Sequence, residues 1–506
     1  MTIQILENEK WFGSEVVHAL DYPYGKDTEA TVDTEHCSCG NQTAPLMLST
    51  AGRYIWCDTG FTAKFEGGKI EVSAAHGEID FGDEIGTLRT AYKSACQKHF
   101  APNGVLPPEE FFTSPQFNTW IELIYDQNQK DILNYARTAV KEGFKPGVLM
   151  IDDIWSNYYG KWDFDRAKFP DPKAMMDELH ALGFKVIMWI CPFVSLDSAE
   201  FRALSAKGGF LKDEGGNIRL VNWWNGFSAC LDLTNPADEE WFTEQTGKLV
   251  SEYGVDGFKF DAGDSNYYKE NDMTEKPVLP TGQTELWAKF GLKYPYNEFR
   301  ACFGCAGLPL VQRLCDKGHR WGRGGVGEII PNTVMQGLLG YGYCCPDMVG
   351  GGSFGDFLPG AKAFDPELFV RYCAASALLP MIQFSAAPWR VLGEDDYASV
   401  KALMKQREEY LPEILELVKE SSVTGEVAVR HMEYVFPNEG FADCKDQFML
   451  GDTLLVAPCI EKGKSEREVR LPVGKWKTED GKVLDGGKTV TLPAPFDRVP
   501  VLRKVD

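Results

Sequence analysis

Tyr253-Gly-Val-Asp-Gly-Phe-Lys-Phe-Asp-Ala-Gly-Asp264 is the stretch on which the fold turns. Val255 to Phe260 is a strand-like apolar run that ends in Asp261, with small Ala262 and Gly263 behind it. Parallel α/β enzymes keep their chemistry on acids just past the C-terminal end of a buried strand. An Asp that merely caps the next helix gives the same local pattern, so the neighbouring sequence has to decide.

From about 111 to 420 strand, loop and helix patterns alternate. The strand candidates are Phe117–Leu123, Val148–Asp153, Lys185–Phe193, Gly257–Asp261, Phe299–Phe303, a weak one near His319–Trp321, Tyr341–Asp347 and Met381–Ser385. Amphipathic helices fill the gaps, among them Gln129–Glu142, closed by Gly143, and Pro172–Leu182, closed by Gly183. This alternation predicts an α/β fold, a (β/α)8 TIM barrel over residues 106–420. Its second, fourth and seventh strands all end in Asp, and a barrel gathers those ends at one rim. Residues 1–105 hold short β-prone runs, including the hairpin signature Lys64-Phe-Glu-Gly-Gly-Lys-Ile70, and predict an N-terminal β domain up to a boundary at Pro107-Pro108. Residues 421–506 return to alternating strands with Gly-containing turns, which predicts a C-terminal β-sandwich domain.

The chain has 506 residues, 44% of them hydrophobic, enough for a large core. Its net charge of −22 argues against nucleic acid or an anionic membrane as a partner, since phosphate binding needs a basic face. No run of about 18 apolar residues suggests a membrane span. The opening MTIQILENEKWFG lacks a basic and an apolar signal region, so the expected location is cytoplasmic, with the 14 cysteines as reduced thiols. His36-Cys-Ser-Cys39 and Cys302-Phe-Gly-Cys305 have ligand-like local spacing, but neither has a second pair nearby in sequence, and no metal or organic cofactor is expected. Gly350-Gly351-Gly352 lacks the Lys-Ser/Thr of a phosphate loop, no G-x-S-x-G occurs, and only seven histidines are present. Two-carboxylate glycoside chemistry needs none of these.

The rim candidates are Asp152, Asp153, Trp189, Trp223, Trp224, Asn225, Asp232, Arg300 and Asp347. Carboxylates accept hydrogen bonds from sugar hydroxyls, and an aromatic face covers the apolar side of a pyranose. Lys259, two residues before Asp261, points to the same side of its strand and favours the ionised form of Asp261. A small carbohydrate is the expected partner.

Ile151-Asp-Asp-Ile-Trp155, Lys168-Phe-Pro170, Trp189-Ile-Cys-Pro-Phe193, Trp223-Trp-Asn-Gly226, Phe258-Lys-Phe-Asp-Ala-Gly263, Pro346-Asp-Met-Val-Gly-Gly351 and Gly451-Asp-Thr-Leu-Leu-Val-Ala-Pro458 follow one another in order. In these stretches the chain, from about residue 110 to 505, resembles glycoside hydrolase family 31, and within it the myogenesis-regulating branch associated with α-galactoside cleavage. The resemblance implies a retaining α-glycosidase acting on an α-galactoside or α-glucoside. Asp261 would be its nucleophile, and Asp152, Asp153, Trp189, Trp224, Lys259, Arg300 and Asp347 would line the sugar subsite. Gln383-Phe-Ser385 stands where many α-glucosidases of the family carry a histidine, which leans toward a non-gluco sugar.

The departure concerns the second carboxylate. In the family an Asp soon after a Trp-Gly-like segment donates the proton. Here His319-Arg-Trp-Gly-Arg-Gly-Gly-Val-Gly-Glu328 contains no Asp, and Arg323 or Gly324 falls at its place. Glu328 is the first candidate for the acid and His319 the second, with Asp316 just ahead of the segment. Other readings of the gap are a substrate with an activated leaving group, elimination or transfer chemistry, or a catalytically silent glycan-binding protein.

Overall fold

Short apolar runs alternating with capped helices wind residues 116 to 384 into a ring of parallel strands. The computed structural model describes residues 1–37, 40–358, 360 and 364–505; Ser38 and Cys39, half of one cysteine motif, lie outside them. The barrel strands are β1 (Gln116–Asn118), β2 (Val148–Ile151), β3 (Lys185–Ile190), β4 (Gly257–Phe260), β5 (Tyr296–Phe299), β6 (Gln312–Arg313), β7 (Cys344–Cys345) and β8 (Gln383–Phe384). They pair in the order 7-6-5-4-3-2-1-8. Between β7 and β8 the ring is joined by the Val349 N–H, which donates to the Gln383 carbonyl at 2.8 Å. The helices follow their sequence signals: Asn128 accepts from the N–H of Asp131 ahead of Gln129–Lys141, and Asp171 from that of Ala174 ahead of Pro172–Ala181. Gly257 is obligatory at the start of β4, because a Cβ there would lie 1.8 Å from the Tyr296 carbonyl oxygen of β5.

Three strands differ from the sequence expectation. The Phe117–Leu123 run becomes β1 and then a helical turn, Trp120–Leu123. The fifth strand is Tyr296–Phe299; Cys302–Phe303 instead leaves the barrel and pairs in parallel with Gln42–Thr43 of the N-terminal domain. The sixth strand is Gln312–Arg313, not the His319–Trp321 segment, which forms turns. For the fifth and sixth strands the cause is shared: they bury Glu298, Gln312 and Arg313, with Arg313 on Glu298, so they lack the apolar signature that marks β2 and β3.

The N-terminal region forms two sheets. The hairpin Thr62–Glu66/Lys69–Ser73 turns through Gly67 and Gly68, both at positive φ, within a four-stranded antiparallel sheet. The other sheet is built on Gln42–Ser49 and includes Cys302–Phe303. The C-terminal region is a six-stranded antiparallel sheet with a two-stranded companion, Glu466–Leu471 and Lys488–Pro493.

The 31-residue helix Glu394–Thr424 braces the outside of the barrel. Its Arg407 is buried with no carboxylate beside it and donates to the carbonyls of Phe112, Ala377, Leu379 and Pro380 at 2.5 to 2.9 Å. Burial lowers its pKa to about 10. These carbonyls include the unpaired end of helix Pro366–Ala377, which needs donors from elsewhere. Arg407→Leu therefore leaves a cluster of buried acceptors unmet and should cost on the order of 3 kcal/mol, with Arg407→Lys recovering only part because an ammonium cannot span the fork. Denaturant unfolding measures both; an Arg407→Leu chain as stable as the parent would refute the account.

Candidate active site

Asp261 follows β4 directly, and its N–H donates to the Ile190 carbonyl at 3.0 Å. Its carboxylate accepts from the Trp189 indole at 2.7 Å and from the N–H of Ala262 at 2.9 Å. Lys259 Nζ stands 3.7 Å from one oxygen and Arg300 Nη1 3.6 Å from the other. Ala262 has φ +53°, a left-handed conformation that bends its N–H back onto the acid. The same device recurs at β2, where Ile154 at φ +70° donates to Asp153 at 2.7 Å.

Burial pushes the pKa of Asp261 up, but Lys259, Arg300 and Arg313 outweigh it and hold the carboxyl at about 2. Asp153 goes the other way. Burial first, then the neighbouring Asp152 and Asp261 carboxylates, raise it to about 7. Asp153 accepts from the Tyr159 hydroxyl at 3.1 Å and from the Asn225 amide at 3.2 Å, while Asp152 takes the Lys259 ammonium at 2.9 Å.

Arg300 is gripped from several sides. Its Nη2 meets Asp264 at 3.3 Å, its Nε donates to the Gly40 carbonyl at 3.0 Å, and Trp224 covers its guanidinium at 5.0 Å. Trp224 sits at the turn of the hairpin Leu220–Trp223/Gly226–Cys230 and is 47% exposed, whereas Trp189 is buried.

The corrected sixth strand brings another acid to the rim. Asp316 lies three residues past Arg313, and Arg313 Nη1 is 2.9 Å from Asp316 and 3.0 Å from Asp347, while its Nε faces Glu298 at 3.3 Å. Asp347 is fully buried and accepts from the N–H groups of Lys317 and Gly352; burial first, then Asp316, raise its pKa to about 7. The Asp316 side chain is 44% exposed. Its charge also acts on Arg300, the partner of Asp261.

Asp152, Asp153, Trp189, Trp224, Lys259, Asp261, Arg300 and Asp347 are thus brought to one rim. Glu328 stands apart, buried at the foot of helix Ile329–Leu338 and paired with Lys317 at 3.3 Å. His319 is also engaged: its Nε2 accepts from the N–H of Asp365 at 2.9 Å, its Nδ1 lies 2.8 Å from the Gly350 carbonyl, and its ring stacks on Phe364. Arg323 points outward to Asp21. Asp232 secures loops by accepting from Thr234 and from the N–H of Glu275. Asp264, Tyr159 and Gly40 were not among the predicted site residues; only Asp264, in the same rim loop as Asp261, carries a local signal that could have found it.

Residues 107–302 match the glycosyl hydrolases family 31 TIM-barrel domain, and residues 425–506 match the glycosyl hydrolase family 31 C-terminal domain. The myogenesis-regulating glycosidase of Mus musculus is 32% identical over 421 residues, covering 81% of this chain and 58% of its own length. The alpha-xylosidase XylQ of Lactiplantibacillus pentosus is 24% identical across 88% of this chain and 60% of its own length. The chain spans about half the length of the curated relatives it matches. A Flavobacterium johnsoniae dextranase complexed with glucose superposes with a TM-score of 0.84 at 18% identity, over 100% of this chain and 66% of the dextranase, a likeness of fold. Barrel, C-terminal domain and relatives agree, and the chain belongs to glycosyl hydrolase family 31.

Proposed function

We propose that this protein is a retaining α-glycosidase that hydrolyses a small α-glycoside or oligosaccharide, an α-galactoside or α-glucoside, with Asp261 as nucleophile and Asp316 as proton donor. The observation that carries the reading is the contrast between two rim carboxylates tied to neighbouring arginines. Asp261 is buried and kept ionised by Lys259 and Arg300. Asp316 is held on Arg313 and open to solvent, as a group that must exchange protons with a leaving oxygen and with water requires. With Asp316 as the second carboxylate the reading needs neither a silent nor a non-hydrolytic protein, and Glu328 is paired with Lys317 instead.

The reaction runs as a double displacement. An Asp261 oxygen attacks the anomeric carbon as Asp316 gives its proton to the glycosidic oxygen, and the aglycone leaves as an alcohol. Asp316, now ionised, takes a proton from water, whose oxygen attacks the anomeric carbon and releases Asp261. Asp152, Asp153 and Asp347 accept sugar hydroxyls, with Trp189 and Trp224 as apolar walls. Relatives named α-xylosidase and α-glucosidase fit a family that acts on α-glycosides. Gln383-Phe-Ser385, in the place where many α-glucosidases of the family carry a histidine, leans toward a non-gluco sugar.

Asp261→Ala should lower turnover of every substrate by at least about 10³-fold. Asp316→Ala should slow glycosides with poor leaving groups by about 10²–10⁴-fold and activated aryl glycosides far less, while Glu328→Gln should leave that leaving-group dependence as in the parent. Steady-state kinetics across aryl α-galactosides and α-glucosides decide it, and equal slowing of all substrates by Asp316→Ala would remove Asp316 from the role.

The raised pKa of Asp153 carries a stability prediction. The folded protein keeps a proton there that the unfolded chain releases near pH 4, so this group's contribution is full below pH 4 and is lost as pH rises to about 7. Asp153→Asn should flatten the decline of stability between pH 4 and 8, a relative gain on the order of 4 kcal/mol at pH 8. Melting curves across that range test it; parallel curves for variant and parent would contradict the assignment.

A further inference from the structure

The N-terminal domain meets the barrel wall between β5 and β6. β5 and β6 pair only through Phe299 and Gln312, and beyond that point both strands run out at the rim with Arg300 and Arg313. Asn41 and Gln42 fill the gap. Asn41 Nδ2 donates to the Arg300 carbonyl at 2.7 Å and the Arg313 carbonyl at 3.1 Å, and Gln42 Nε2 donates to the same pair at 2.7 and 2.8 Å. Gln336 Nε2 donates to Gln42 Oε1 at 2.8 Å and fixes the amide's orientation. Both side chains are buried. Gly40 completes the contact, since its carbonyl accepts from Arg300 Nε and a Cβ there would lie 2.6 Å from the Arg300 guanidinium.

We propose that Gly40-Asn41-Gln42 is a positioning element that sets the separation of Asp261 from Asp316. Arg300 touches the Asp261 carboxylate and Arg313 the Asp316 carboxylate, so the distance between the two arginine backbones is passed on to the two acids. Strand pairing no longer fixes that distance beyond Phe299, and side-chain amides from another domain take over. A double displacement tolerates little change in the spacing of its carboxylates, about 5 Å in retaining enzymes, and a misplacement near 1 Å can cost about 10²-fold. The inference rests on the assignment of Asp261 and Asp316 given above.

The test uses the full chain with Gln42→Leu and Asn41→Ala, and a series of aryl α-glycosides of graded leaving-group pKa. In folded variants kcat for the poorest leaving group should fall about 10- to 100-fold, activated substrates should fall less, and the dependence on leaving-group pKa should steepen. A purely structural role would lower the melting temperature and leave that dependence unchanged, and such a result overturns the proposal. If Gln42→Leu does not accumulate folded, Asn41→Ala, which only removes atoms, decides; failure of both to fold counts against the proposal by assigning the pair to fold stability. Should Asp261→Ala retain activity, or Asp316→Ala turn over the poorest leaving group as the parent does, the underlying assignment falls. Should both variants be impaired there while the clamp variants match the parent, only the positioning element falls.

Discussion

Charge balance at the barrel rim is the constraint from which the site follows. Seven carboxylates, those of Asp152, Asp153, Asp261, Asp264, Glu298, Asp316 and Asp347, crowd around three cations, Lys259, Arg300 and Arg313. Buried ions are tolerated only when paired and hydrogen-bonded, so not all seven acids can be ionised together. The burden falls by position. Asp261 touches two cations and is driven below the usual carboxylate range, while Asp153, Asp264, Glu298 and Asp347 are shifted up by burial first and then by the charge of Asp152, Asp261 or Asp316 beside them. Asp261 is thus kept firmly ionised beside Asp153, Asp264, Glu298 and Asp347, which hold protons more readily.

That arrangement also explains which parts of the fold could be read from the sequence. β2 and β3 are apolar almost throughout and β4 is broken only by Lys259, so the acids that follow them stand out. The hairpin around Gly67 and Gly68 was equally legible, because only a glycine-tolerant turn joins two such runs. β5 and β6 were not legible. They carry the interior partners of the rim charges, Glu298 and Arg313, so the residues that balance the active site are the ones that hide its strands. β6 and β7 are two residues long each, too short for any periodicity to register.

The position of the sixth strand has a chemical consequence. In the glycine-rich segment where the family resemblance places the proton donor, Arg323 salt-bridges Asp21 and Glu328 salt-bridges Lys317. With β6 at Gln312–Arg313, the rim position falls on Asp316, which the sequence reading had noted only as a neighbour. Residues just past the C-terminal ends of barrel strands are the ones that reach the rim, so the position of β6 makes Asp316 a candidate that motif similarity had not ranked.

Register also bears on the N-terminal domain. A barrel strand that puts an arginine at the rim on each side of a gap forgoes ladder hydrogen bonds there, and unpaired buried carbonyls are costly. The amides of Asn41 and Gln42 meet the carbonyls of both Arg300 and Arg313, converting a defect in the barrel wall into a four-bond joint between two domains. A ladder would have fixed the strands at ladder spacing; side-chain amides allow a wider spacing and still satisfy each carbonyl twice. The two arginines that govern Asp261 and Asp316 are therefore held apart by residues more than 250 positions earlier in the chain, a dependence that no local reading of the barrel sequence could reach.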